Sequence, residues 1–214
     1  MPSLYMLKYR FRGAIGPFIR ALIGAGVTAN MVTVASLALT IAWGVLLCLW
    51  PRESWVLIGL LPIVLLRMAC NVIDGAIASE AGRHSRFGAI VNEMDVMADA
   101  LLYTPLVLTL PGTPWLGLAA VLVALVAEYA GMVGLLTGAG RRYEGPMAKP
   151  DRAVVFAAIA VLAGFGVPLA GWLDWVWAAL ALLGVATVLN RLIAAYQEVP
   201  RGSAGTGSGP AGRF

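Results

Sequence analysis

Six stretches of roughly twenty mostly apolar residues recur along the chain, at 28–50, 55–74, 87–110, 115–138, 152–171 and 175–197, each closed by a short polar or turn-rich break. Roughly 20 such residues carry a helix across the hydrocarbon of a bilayer. The pattern therefore predicts an all-α membrane protein with six transmembrane helices. The breaks Pro51-Arg52-Glu53-Ser54, Pro111-Gly112-Thr113-Pro114 and Gly171-Trp172-Leu173-Asp174 read as tight turns. Ahead of the first span, Lys8, Arg10, Arg12 and Arg20 alternate with Tyr5, Phe11, Phe18, Ile19 and Leu22, with no short apolar core and cleavage site. That alternation predicts an N-terminal interfacial amphipathic helix over 1–24, bent near Pro17. A six-span domain over 25–199 follows, and a Gly-, Ser- and Ala-rich tail over 200–214 is expected to be disordered.

Composition agrees with this plan. The 214 residues are 60% hydrophobic and 12% charged, and mean hydropathy is +0.85, outside the range of soluble domains. The net charge of +4 does not imply nucleic acid; where the basic residues fall matters more. Arg83 and Arg86 lie in one inter-span loop, and Arg141, Arg142, Lys149 and Arg152 in another on the same side, whereas the opposite turns hold only Arg52. The positive-inside rule then puts both termini and these loops in the cytoplasm, in a bacterial inner membrane. Trp55, Trp115, Trp172, Trp175 and Trp177 read as an interfacial belt at the other side. Cys48 and Cys70 sit in separate apolar runs and read as packing residues.

Ionisable groups at membrane depth are costly and mark functional sites. Arg67, Asn71 and Asp74 fall on one face of the second span, near its cytoplasmic end, and Asn92, Asp95 and Asp99 share a face of the third. Glu93 points elsewhere. A connection with Gly75, Gly82 and Gly88 is expected to let the two stripes meet, gathering oxygen donors of the kind hard divalent cations take. The alternative is a hydrogen-bond network that only glues the spans together.

Residues 71–99 read N-x-x-D-G-x-x-A-S, eight residues, Gly88, three residues, Asn92, two residues, Asp95, three residues, Asp99. This resembles the signature of the CDP-alcohol phosphotransferases, D-x-x-D-G-x-x-A-R, eight residues, G, three residues, D, three residues, D. Asp74, Gly75, Ala78 and Gly88 match in identity and spacing, and Ala29-Asn30-Met31-Val32-Thr33 is similar to the segment leading into the family's first span. Asn71 and Asn92 stand where the pattern has aspartates, Ser79 where it has arginine, and Asp95 arrives one residue early. The paired asparagines resemble a variant group of the family.

The resemblance implies a divalent ion, Mg2+ or Mn2+, held by Asp74, Asn71, Asn92, Asp95 and Asp99, and a CDP-linked nucleotide against Asp74, Gly75, Ala78, Ser79 and Gly88. Either Asp95 or Asp99 would be the general base. The implied reaction moves a phosphatidyl or substituted phosphoryl group from CDP-diacylglycerol or a related CDP-alcohol to a polar acceptor alcohol, releasing CMP, in a homodimer typical of the family. Arg141, Arg142, Lys149 and Arg152 are candidates for gripping phosphate or an acidic acceptor, unless they simply obey the positive-inside rule. A catalytically impaired homologue that binds lipid or nucleotide without turnover is the alternative. A transporter is disfavoured by the lack of internal repeats. His84 reads as a surface residue, and Glu128 and Arg191 as buried partners or snorkelling groups.

Overall fold

The structure, a computed structural model, describes residues 16–80, 86–136, 138 and 140–198, with Ala89 and Asn92 described by their backbone alone. Among these residues helix is the only regular secondary structure, with no strands. The helices are α1 (Gly16–Gly24), α2 (Ala29–Leu49), α3 (Ser54–Glu80), α4 (Arg86–Thr109), α5 (Pro114–Leu136), α6 (Lys149–Gly164) and α7 (Leu173–Glu198). The expectations placed on residues 1–15, on Gly82, Arg83 and His84, and on the tail lie outside the described residues.

Among the described residues four helices, α2, α3, α5 and α7, are long and apolar enough to cross a membrane. α4 has the length but carries Glu93, Asp95 and Asp99, and α6 has only 16 residues. The span expected over 152–171 is therefore cut short. Gly166, at φ +74°, closes α6 with a Schellman motif, in which Val167 N–H donates to the Leu162 carbonyl at 3.0 Å and Gly166 N–H to that of Ala163 at 2.9 Å. Pro168 then prevents the helix from resuming.

α3 errs in the other direction, running six residues past its expected end at 74. Ala76 and Ile77 are buried against Ile19 of α1, with Ile73, Leu22 and Val32 around them, and this contact holds the last turns helical. Gly75 is accordingly a helical residue and not part of the connection, and Gly88 likewise lies within α4.

α2 packs on α3 and α4, α3 on α6, α4 on α5, and α5 most extensively on α7. Small residues permit the close approaches, as helices in lipid require. A Cβ on Gly44 of α2 would stand 2.6 Å from Leu101 of α4, and one on Gly184 of α7 would stand 2.6 Å from Val123 of α5. Through the centre runs an aromatic stack: Tyr103 of α4 lies on Phe156 of α6 at 4.1 Å between ring centroids, and Phe156 on Trp177 of α7 at 5.3 Å. Trp177 is thus a core residue, 1% exposed, whereas Trp55, Trp115 and Trp175 do lie on the surface as a belt would. Its place one helical turn into α7 aims it at Phe156 instead of outward. At the same end, Asp174 accepts from the Thr113 N–H at 2.6 Å and from its hydroxyl at 2.9 Å, clamping the α4–α5 turn to the start of α7.

Candidate functional site

The opposite end of the bundle, where α3 and α5 finish and α4 and α6 begin, gathers the polar stripes. Arg67 of α3 is 4% exposed and lies among apolar neighbours, so its charge needs partners from another helix. α4 supplies them one turn apart. The guanidinium donates Nε–H to Asp95 Oδ1 at 2.9 Å and Nη2–H to the Asp95 carbonyl at 3.0 Å, and Nη1 bonds Asp99 Oδ1. From the first residue of α6, Lys149 Nζ reaches Asp95 Oδ2 at 2.6 Å and Asp99 Oδ2 at 3.5 Å. Two carboxylates thus meet two cations, each carboxylate oxygen facing one, and both aspartates are buried.

Asp74 stands apart from this cluster. It is half-buried, and its Oδ2 lies 2.8 Å from the hydroxyl of Thr33 on α2, which also lies 3.0 Å from the Ala29 carbonyl one turn back. The single hydroxyl proton is divided between these two acceptors. Asn71 is half-buried one turn before Asp74 on α3. Ser79, on the surface, returns its hydroxyl to the Gly75 carbonyl at 2.8 Å. The side chain of Asn92 lies outside the described residues. Among the described residues, no group of three or more acidic, histidine or cysteine side chains converges as a ready-made metal centre.

The basic residues expected to act together on phosphate are separated. Arg141 pairs with Glu93 of α4. Burial opposes its charge, but the hydrogen bond and charge of Glu93 outweigh burial and raise its pKa above the ordinary arginine value. Arg142 joins Glu144 at 3.0 Å and also Glu198. Burial pushes the Glu144 carboxyl up, yet hydrogen bonds from its own N–H, from Arg142 and from the Tyr143 N–H hold it below the usual range. Lys149 is a quarter exposed and belongs to the aspartate cluster. Arg152 points inward at 4% exposure, donating to Glu128 Oε1 at 2.6 Å and to the Met147 carbonyl at 2.9 Å.

Glu128 is therefore the centre of a second buried network. Nη1 of Arg191 on α7 approaches it at 3.4 Å and also donates to the Ala127 carbonyl, while Nε–H donates to the Glu144 carbonyl at 3.1 Å. One carboxylate ties α5, α6 and α7 together just behind Lys149. A small cavity lined by Asp99, Tyr103, Glu128 and Arg152 separates the two networks.

The segment leading into α6 is fixed as well. Gly145, at φ +138°, packs against Thr187 of α7, where a Cβ would stand 2.8 Å from the Thr187 Oγ1. Met147 N–H donates to that hydroxyl at 3.1 Å, and Ala148 N–H to Asp151 Oδ2 at 3.1 Å, which starts the helix. Sequence reasoning put Arg67 on the polar face of the second span without naming its partners, set Glu93 aside, read Thr33 only as part of the entry to the first span, and passed over Thr187. For Arg67 the signal was present: an arginine in an apolar span, four residues before Asn71, demands acidic partners. For Thr33 and Thr187 no local signal distinguishes these hydroxyls from any other in a helix.

The family profile described as CDP-alcohol phosphatidyltransferase matches residues 26–189. The chain is 35% identical over 195 residues to the inner membrane protein YnbA of Escherichia coli (strain K12), covering 88% of this chain and 94% of that protein. Its fold is similar to that of the phosphatidylinositol phosphate synthase PgsA1 of Mycobacterium tuberculosis. The structure with CDP-DAG bound gives a TM-score of 0.68 at 23% identity, covering 84% of this chain and 92% of the synthase. The structure of the same enzyme with manganese and citrate gives 0.67 at 24% identity, covering 84% and 88%.

Proposed function

The chain is a multi-pass membrane protein that belongs to the CDP-alcohol phosphatidyltransferase family, and on that premise we propose that it transfers a phosphatidyl or substituted phosphoryl group from a CDP-linked lipid or alcohol to an acceptor alcohol, releasing CMP. The observation that carries this reading is the meeting of α3, α4 and α6 at Asp95, at the end of the bundle that also carries Asp74, which keeps the identity and spacing of the family motif. The PgsA1 structure that holds CDP-DAG supports CDP-diacylglycerol as the first donor to try.

The donor chemistry at Asp74 and Asn71 fits a hard divalent cation such as magnesium or manganese, with Asn92 as a further neutral oxygen. Asp95 and Asp99 already carry Arg67 and Lys149. A bound divalent ion would supply positive charge against the pyrophosphate as CMP departs. The chain's own residues do the rest. Arg141 and Lys149 approach the phosphates, and once Lys149 Nζ turns toward them Asp95 Oδ2 is open to the acceptor hydroxyl. Asp95 takes the hydroxyl proton while the acceptor's oxygen bonds the β-phosphorus, and the bond from that phosphorus to the bridging oxygen breaks to release CMP. Arg67 holds both aspartates in place, and Asp99 acts as a positioning residue.

Six spans complete the reading, with α4 and α6 as the third and fifth. At 1.5 Å per residue α6 covers roughly 24 Å, and the apolar turn after it covers the remaining depth. Arg86, Arg141, Arg142 and Lys149 all lie at the site end, which supports a cytoplasmic site in an inner membrane. We extend the family reading to a homodimer, checked by light scattering of the solubilised protein.

A second reading, binding without turnover, is favoured by the neutral Asn71 and Asn92. Purified protein with radiolabelled CDP-diacylglycerol, magnesium or manganese, and a pool of polar alcohols separates the two. Metal-dependent CMP release is the expected result; nucleotide-lipid binding without release under every acceptor would replace the transferase by the second reading.

A further inference from the structure

Lys149 occupies the position a shared cation would take. Its Nζ lies 2.6 Å from Asp95 Oδ2 and 3.5 Å from Asp99 Oδ2, between carboxylates one helical turn apart. Arg67 covers Oδ1 of both from behind. We propose that Lys149 is the resident cation of the Asp95–Asp99 pair and excludes a divalent ion from it, so that the metal site is confined to the Asp74 side. This deepens the cofactor part of the proposed function and rests on that reading for the relevance of hard divalent ions.

Three features make the ammonium a strong competitor. It is delivered by the chain, because Met147 is bonded to Thr187 on one side of Lys149 and Arg152 to Glu128 on the other. Lysine brings a compact charge on a flexible stem, whereas magnesium must give up tightly held water to enter a protein cage. Asn71 and Asn92 have also removed two negative charges from the motif, so little remains to draw a second dication.

The test is a titration of the full-length protein in detergent with MnCl2, in the absence of substrate, reading free manganese by electron paramagnetic resonance. Lys149→Met and Lys149→Gln are each expected to bind one more manganese per chain than the wild type. Adding Asp95→Asn to either should remove the extra ion, and Lys149→Arg should keep the wild-type count. An unchanged count in Lys149→Met and Lys149→Gln proteins that elute as single species overturns the proposal, as does an extra ion in Lys149→Arg. The wild type gives a measurement that does not depend on variant folding: acetylation of Lys149, followed by mass spectrometry, should be the same with and without saturating MnCl2. Faster acetylation with manganese would mean that the metal displaces the lysine, and the idea would fall. The proposed transferase reading fails on a different readout, CMP release, and Asp74→Asn should remove the wild-type ion while leaving the extra one of Lys149→Met.

Discussion

Thr33 on α2 donates its hydroxyl to Asp74 on α3 at 2.8 Å. The bond joins the start of α2 to the one motif aspartate that keeps its family position. Orienting a ligand in this way is worth about 10–100-fold in metal affinity. Thr33→Val is expected to weaken manganese binding about tenfold with little change in thermal stability. Asp74→Asn should abolish metal-dependent CMP release, and near-normal release from that variant would remove Asp74 from the site.

Arg67 touches both Asp95 and Asp99 from the apolar side. Replacing it with methionine leaves two buried carboxylates facing Lys149 alone, a loss of about 3–5 kcal/mol by the usual cost of breaking a buried pair. Thermal melts in detergent should show a large drop for Arg67→Met. Arg67→Lys should fall between, because a single ammonium cannot reproduce the forked contact. Combining Arg67→Met with Asp95→Asn and Asp99→Asn should restore much of the lost stability; failure to restore it would show that the cost is packing rather than charge.

Glu128 pairs with both Arg152 and Arg191 within the bundle. Glu128→Ala should destabilise by about 3–5 kcal/mol, although the residue lies outside the motif. A double-mutant cycle with Arg152→Met should give a coupling energy well above the few tenths expected of independent sites. Additive losses would mean that the pair does not act as a unit.

Thr187 holds the turn before α6 by accepting from the Met147 N–H at 3.1 Å. Thr187→Val strands that buried donor, at about 1–3 kcal/mol. Since this turn sets where Lys149 begins α6, the variant should also lower CMP release. Unaltered melting and turnover together would show that the turn is fixed by other contacts.

Much of the architecture was legible because lipid leaves few choices. Apolar length marked the helices, and Pro and Gly marked the turns, so most helix ends fall within a few residues of expectation. The exceptions have tertiary causes. α3 outruns position 74 because Ile19 covers Ala76 and Ile77, and α6 stops at Gly164 because Gly166 and Pro168 end it. At the candidate site, spacing singled out Asp74, Asp95 and Asp99 and put the latter two on one face, where both meet Arg67 and Lys149. It could not assign the partners. Whether a carboxylate faces a metal, a lysine or a threonine depends on helices far away in sequence, and Arg152 looked like a phosphate ligand only because Glu128 is 24 residues distant along the chain.

The anchoring of the segment around Lys149 has a consequence for how fast the site opens. With Met147 tied to α7 and Arg152 tied to α5, uncovering Asp95 requires the swing of one lysine side chain and no displacement of backbone. Side-chain rotations belong to picoseconds and nanoseconds, whereas loop and domain openings extend to microseconds and milliseconds. The barrier to exposing Asp95 is then set by parting two ion pairs, and an arriving anion that offers the ammonium a new partner lowers it directly. Access to Asp95 is in this way tied to the charge of what enters, not to the breathing of the bundle.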